Sequence, residues 1–355
     1  MKWFLKQLTR VPKFKHRKFI HDLLLGNKLV ICDVGATGGL EERWREISPF
    51  CHFFTFDPDP RAKCEKETTN FPIGLWSHKA TKELFLTADQ QASSLFRYKE
   101  NLNVFLNFSG LKITGVQQIH LNSLESILKD HKSPDFLKVD AEGADFEILK
   151  GGETFLKNDC LGVQAELPFL ELREGGALFS EVDTYLRSFG FMLVDLKKEY
   201  WIRKNNTYSL NTNPQLIWAD AVYMLTWEEF LKRARKHENP RVLFGKWLSI
   251  LMVFQMHDFA EEVRQKALAE GWIDTKTATQ IKYWIQGCLS NRWMYFFRLS
   301  FWMGLASLGY LLVWPIPKWK KKALTFLKAL ARQMSSLLLH FSRSGSKEAA
   351  VFEHD

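Results

Sequence analysis

Residues 136–151 read Phe-Leu-Lys-Val-Asp-Ala-Glu-Gly-Ala-Asp-Phe-Glu-Ile-Leu-Lys-Gly, and this stretch decides the fold. An apolar run, Phe136, Leu137 and Val139, ends in two acids, Asp140 and Glu142. Gly143 follows, and Phe146, Ile148 and Leu149 then recur at helical spacing up to Gly151 and Gly152. A strand that delivers carboxylates to its C-terminal end and turns into a helix is a unit of an open α/β sheet, and ligands bind at that edge. A second segment of the same type, Leu29-Val-Ile-Cys-Asp-Val-Gly-Ala-Thr-Gly-Gly39, lies well upstream.

Working outward, strand-like segments fall at 29–34, 52–57, 70–75, 83–87, 117–121, 135–140, 161–167, 191–196 and 221–226. Helical patterns lie between them at 40–47, 60–68, 123–130, 144–157 and 177–189. The alternation predicts βαβ units and a doubly wound, mostly parallel sheet spanning residues 29–226. Segment 83–121 breaks the rhythm with a hairpin and an irregular stretch around Gln90–Leu95, at a rim where insertions shape pockets. After Thr226 the strand signals stop, and 227–292 reads as a helical accessory region with breaks at Asn239-Pro240 and Gly271.

The 355 residues, 46% hydrophobic and 25% charged, describe a folded chain rather than a disordered one. Five cysteines, an odd number with no C-x-x-C pair, are expected as buried thiols in a reducing compartment. Charges recur along the N-terminus without an apolar core between them, so no cleaved signal peptide is expected. The net charge of +9 belongs to the two ends. Arm 1–28 holds eight Lys/Arg against one acid, Asp22, and 318–345 holds seven and no acid. Residues 346–355 form a short tail.

Between the helical region and the second basic stretch, 293–317 carries one charge, Arg298, in an apolar and aromatic run. A spanning helix needs roughly 20 apolar residues, so this run is marginal. Its aromatics (Phe301, Trp302, Tyr310, Trp314) suit an interface, and the lysines after it suit an anionic leaflet. The expectation for 293–345 is a monotopic, re-entrant or interfacial anchor, with a single span second. A buried helix of an accessory bundle or oligomer interface is the alternative. Basic arms interleaved with Trp, Phe and Leu fit a membrane better than nucleic acid.

Chemistry is carried by the strand ends. In Asp33-x-Gly35-x-x-x-Gly39 the glycines permit a sharp turn and a close backbone approach, while the pyrophosphate fingerprint G-x-G-x-x-G is absent. Asp57, in Phe54-Thr-Phe-Asp57-Pro-Asp59-Pro60, is placed to accept both ribose hydroxyls of an adenosine-type ligand, and Asp59 is read as a helix cap. Acids after both strands suit S-adenosylmethionine, with its sulfonium, amino group and ribose.

Asp33–Gly39, Phe56-Asp-Pro58, Ser93-Ser-Leu95, Leu137–Gly143 and Ile148-Leu-Lys-Gly151 together resemble the FkbM family of S-adenosylmethionine-dependent methyltransferases. Gly162-Val-Gln-Ala-Glu166, Phe179–Asp183, Gly190-Phe191 and Trp218-Ala-Asp220 extend the resemblance over roughly 29–226. It implies a class I methyltransferase-like fold, S-adenosylmethionine as cofactor, and methylation of hydroxyls on glycans, polyketides or related small molecules. It also implies Asp33, Gly35, Ala36, Gly39 and Asp57 as the residues that hold the cofactor. Thr37 stands where Asn is usual, and Asp57 where Glu is common; both retain hydrogen-bonding ability.

Methyl transfer from a sulfonium to a hydroxyl is an in-line displacement, helped by positioning and by a general base within hydrogen-bond reach. Asp140, Glu142 and Glu166, at or just past strand ends, are the candidate catalytic residues. Lys138 and Asp140 share a strand face and can pair, which is also the purely structural reading of Asp140. Asp140 and Glu142 lack a clear third ligand, so no metal is assigned. Glu147 reads as a solvated helix charge, and His120 as a partly buried structural histidine.

The expected protein is therefore an O-methyltransferase acting on a sugar, glycan or lipid-linked glycan. It is expected in the cytoplasm, peripheral or monotopic at the inner face of the cell membrane. Its expected partners are a hydroxyl-bearing small molecule or glycan and an anionic membrane surface, with oligomers open to it through the C-terminal helices. The alternative is a non-catalytic membrane-associated scaffold that retains the fold, and the missing fingerprint disfavours a dinucleotide oxidoreductase.

Overall fold

Leu29–Val34 is buried at every position, and in the computed structural model it is an interior strand of a seven-stranded sheet. The structure describes residues 17–36, 39, 41–59, 68–105, 111–204 and 213–287. In chain order the elements begin with α1 (Arg17–Leu24), β1 (Leu29–Val34), α2 (Glu42–Arg45), β2 (Cys51–Phe56), β3 (Thr69–Phe71), β4 (Gly74–Leu75), β5 (Ala80–Thr87) and β6 (Ile113–Asn122). Next come α3 (Leu124–Leu128), β7 (Phe136–Val139), α4 (Asp145–Lys150), α5 (Glu153–Asn158), β8 (Gly162–Pro168), α6 (Phe179–Ser188), β9 (Phe191–Trp201) and β10 (Gln215–Leu225). Three helices follow: α7 (Trp227–Ala234), α8 (Pro240–Val253) and α9 (His257–Ala269).

The sheet runs in the order β3-β2-β1-β7-β8-β10-β9, with every neighbour parallel except β10, which is antiparallel to both β8 and β9. This is the mostly parallel α/β sheet that the alternation predicted. From β1 the chain steps outward to β2 and β3, then returns as β7 on the other side of β1. A crevice therefore opens beyond the carboxyl ends of β1 and β7, where the strand order reverses. A separate three-stranded sheet, β4-β6-β5, is formed by the stretch that broke the rhythm of the sequence.

Four elements differ from expectation. The single strand foreseen at 70–75 is two, β3 in the large sheet and β4 in the small one. Pro72 lies between them and has no N–H to continue the ladder. The helix foreseen at 144–157 divides into α4 and α5 at Gly151-Gly152, where a Cβ on Gly151 would come within 2.2 Å of the Trp76 carbonyl oxygen. Strands β9 and β10 form a longer hairpin than the apolar runs 191–196 and 221–226 indicated, because in their added residues buried Trp201, Ile217 and Ala219 are interspersed with polar ones and make no continuous apolar run.

Helices after the sheet join its core. Trp44 of α2 packs on Phe136 of β7 at 5.1 Å, and both rings contact Phe254 at the end of α8. Lys246 of α8 donates to both carboxylate oxygens of buried Asp135 at 2.9 Å, and Asp135 also accepts the Val30 N–H. His16–Ala278 is one compact unit, and residues 279–287 belong to another. Cys32, Cys51 and Cys160 are buried free thiols, each pushed up by burial. Among the described residues no helix is long and apolar enough to cross a membrane. The run 293–317, the basic stretch 318–345 and residues 1–16 of the N-terminal arm lie outside the described residues.

Candidate active site

β1 leaves the sheet through Gly35, whose φ is +79° and whose N–H donates to Phe56 O. A Cβ at this position would lie 1.8 Å from the Asp140 carbonyl oxygen, so only glycine lets the two strand tips meet. They are also laced together by the Asp140 N–H, which donates to Val34 O at 3.0 Å.

Beyond Asp140 the chain turns around the carboxylate of Asp145, which accepts the N–H groups of Gly143 (3.0 Å) and Ala141 (3.4 Å). Burial and the nearby Asp140 lift the pKa of Asp145 to about 7, against the pull of those N–H donors. The turn holds Glu142 at φ +52°. Ser94 Oγ donates to the Glu142 backbone oxygen (2.6 Å), and Tyr98 Oη and the Arg173 guanidinium donate to its carboxylate. Arg173 is buried and lies over the Tyr98 ring, 4.8 Å from its centroid.

From the neighbouring strand β8, Glu166 brings a third carboxyl. One oxygen each of Asp140, Glu142 and Glu166 falls within 4.8 Å of the others. Burial raises the Glu166 pKa well above the usual carboxylate range, and the charges of Asp140, Asp145 and Asp220 push the same way. Asp140 is the more open of the first pair, with 37% of its side chain exposed against 20% for Glu142.

Lys138 projects from the same face of β7 as Asp140. Its ammonium donates to Asp33 at 2.9 Å and lies 3.5 Å from Asp140. Burial would weaken that charge, but the two carboxylates more than offset it and hold the pKa above the usual lysine value. Burial raises the pKa of Asp33 in turn, despite the lowering by Lys138.

These groups surround a cavity of about 510 Å³ at the reversal between β1 and β7. Gly35, Gly39, Asp57, Asp140, Glu142 and Glu166 all line it; Asp33 and Ala36 do not. Asp33 reaches the site only through Lys138. Asp57 follows β2, and its Oδ1 accepts the Asp59 N–H at 2.9 Å, so Asp59 belongs to this turn and also lines the cavity. The helix that Asp59 was read as capping, 60–68, lies outside the described residues up to residue 67.

Sequence reasoning passed over Gln164, Tyr98, Arg173, Asp145, Lys197 and Asp220. Gln164 had a usable signal, since it stands two residues before Glu166 and so shares its strand face. Arg173 and Tyr98 had none, because they meet Glu142 only in space. Two readings need correction. His120 is exposed on β6, where its ring contacts Thr81 Oγ1, rather than partly buried. Glu147 is half-buried and accepts hydrogen bonds from Ser77 and Lys150, rather than standing in solvent.

Residues 33–193 match the family described as Methyltransferase FkbM domain. No curated protein matches the chain. Among solved structures, Methyltransferase FkbM from Methylobacillus flagellatus KT is similar at 13% identity and a TM-score of 0.30, over 56% of this chain and 43% of that one. This chain thus spans less than half of that protein's length. Magnesium protoporphyrin IX methyltransferase (ChlM) from Synechocystis PCC 6803, solved with bound SAM, is 9% identical with a TM-score of 0.27, over 59% and 80% of the two chains. A SAM-dependent methyltransferase from Anabaena variabilis ATCC 29413 is 10% identical with a TM-score of 0.28, over 63% and 93%.

Proposed function

We propose that the protein, whose residues 33–193 match the methyltransferase FkbM domain, is an S-adenosylmethionine-dependent O-methyltransferase acting on a hydroxyl of a sugar, glycan or lipid-linked glycan. The observation that carries this reading is the shared cavity: a turn only glycine can make, an acid after β2, and a carboxyl cluster line one space of about 510 Å³. That size lies in the range of small-molecule sites.

The residues present fit the cofactor. Asp57, just after β2, would accept ribose hydroxyls, and Gly35 and Gly39 line the same cavity. When bound, S-adenosylmethionine supplies an electrophilic methyl carbon on a sulfonium that leaves as a neutral thioether. Asp140 is the group to take the proton of the acceptor hydroxyl, being the more exposed of the two acids on its loop. Glu142, tied to Arg173 and Tyr98, holds that loop in place, and Lys138 orients Asp140. Lys197 and Asp220, paired at 2.8 Å on the cavity wall, offer a donor and an acceptor to a polyhydroxylated acceptor. Action at a membrane face is proposed from the apolar and basic composition of 293–345 alone.

The test is calorimetric titration with S-adenosylhomocysteine, followed by transfer of a radiolabelled methyl group to membrane glycans with anionic vesicles added. Asp57→Ala is expected to weaken binding about tenfold or more, or about 1.4 kcal/mol. An unchanged affinity would reject the cofactor assignment. Binding without transfer to any hydroxyl acceptor would favour a scaffold that keeps the fold.

A further inference from the structure

We propose that Asp140, Glu142 and Glu166 form a divalent-cation site, with Gln164 supplying a fourth, neutral oxygen. The inference goes beyond methyl transfer and stands on the donor set alone. Three carboxyl groups from two different strand ends and the loop between β7 and α4 bring oxygens within 4.8 Å of one another. Oxygens so grouped can act together as ligands of one hard cation.

The nearby cations each serve one acid of the set or a neighbouring acid. Lys138 is bound to Asp33 at 2.9 Å and stands 3.5 Å from Asp140. Arg173 holds Oε2 of Glu142, and Lys197 is paired with Asp220. None of these contacts joins the three carboxyl groups to one centre.

Gln164 gives the second, independent observation. It is buried, 4% exposed, and lines the same cavity from the face of β8 that carries Glu166. Its Nε2 donates to Glu41 Oε1 at 2.9 Å, and the other oxygen of Glu41 lies 2.6 Å from Arg43 Nε. A carboxylate only accepts, so the amide cannot be turned the other way, and Oε1 must face away from Glu41. That oxygen has no hydrogen-bond partner among the described residues. A buried acceptor without a donor is costly, and a cation satisfies it together with the three acids. An all-oxygen set of three carboxyls and one amide suits a hard ion of the magnesium, manganese or calcium type, not zinc or copper. An ion held there would stand beside Asp140, where it can draw in the oxygen of an acceptor hydroxyl.

The experiment is titration of EDTA-treated full-length protein with Mn²⁺ alone, free ion being read by its electron paramagnetic resonance signal. One saturable site per chain is expected, with Kd raised at least about tenfold by Asp140→Asn or Glu166→Gln and severalfold by Gln164→Leu. Asp130→Asn, on an exposed surface acid, is expected to leave Kd unchanged. Mn²⁺ should raise the unfolding temperature of the native chain but not of the Asp140 or Glu166 variant. If Glu166→Gln does not fold, Asp140→Asn and Gln164→Leu carry the comparison. No saturable binding up to about 5 mM Mn²⁺, far weaker than dedicated sites, overturns the proposal, as does equal affinity in all variants. Methyl transfer that persists in EDTA with no Mn²⁺ binding removes the ion and leaves the reaction; Mn²⁺ binding without methyl transfer does the reverse.

Discussion

Single residues in this site do two jobs at once, and Lys138 is the clearest case. It stands in a central strand whose other positions are apolar, and it answers for both Asp33 and Asp140. Lys138→Met should destabilise the protein by about 3–5 kcal/mol, because Asp33 would remain buried without its counter-ion. Adding Asp33→Asn should recover much of that loss, as read from urea unfolding midpoints. Asp145 makes a pH-dependent prediction. Its folded pKa of about 7 lies above the unfolded value, so the unfolded chain gives up this proton first as pH rises. Stability should therefore fall between about pH 4 and pH 7 by up to about 1.4 kcal/mol per unit from this one group, and level off above. Unfolding measured in EDTA across that window should lose this slope in Asp145→Asn; an unaltered slope would assign it to other buried acids.

At the scale of elements, the decisive contact is between the tips of β1 and β7. Gly35 permits it, and the Asp140 N–H to Val34 O bond closes it. Gly35→Ala must push Asp140 away while holding a left-handed backbone, costing at least about 2 kcal/mol. Binding of S-adenosylhomocysteine should fall with it, while an alanine variant of normal stability and affinity would mean the strand tips separate freely. Much of this level was legible in the sequence. The motif Leu137–Gly143 marked β7, its acids and the turn into a helix, because period and glycine placement are local signals. Pro72 and the Gly151-Gly152 pair were visible too, but their effect depends on which strand or carbonyl lies alongside.

Over the whole molecule, the helices beyond Thr226 are part of what supports the sheet. Trp247 of α8 stacks on Phe230 of α7 at 4.1 Å, and Lys246 of the same helix neutralises Asp135 at the start of β7. Burial pushes the Asp135 carboxyl up even so. Lys246→Ala should cost about 3–5 kcal/mol by leaving that acid unpaired. Because residues 16–278 form one unit, the loss should appear in a single cooperative unfolding transition followed by circular dichroism. Two separate transitions would show that the helices melt independently of the sheet.

The amino-acid sequence by itself determined the alternating α/β pattern, the glycine turn after β1 and the acids at the ends of β1, β2 and β7. Each of these is written in neighbouring residues, where periodicity and conformational preference act. Tertiary structure alone decided that β1 and β7 lie side by side, that Asp33 faces Lys138 instead of the cavity, and that Arg173 and Tyr98 hold Glu142. It also decided that Gln164, whose Oε1 has no donor among the described residues, lines the same cavity as the three carboxyl groups. Those outcomes depend on which distant strands pair and how deeply each charge is buried, and no local stretch of chain encodes either.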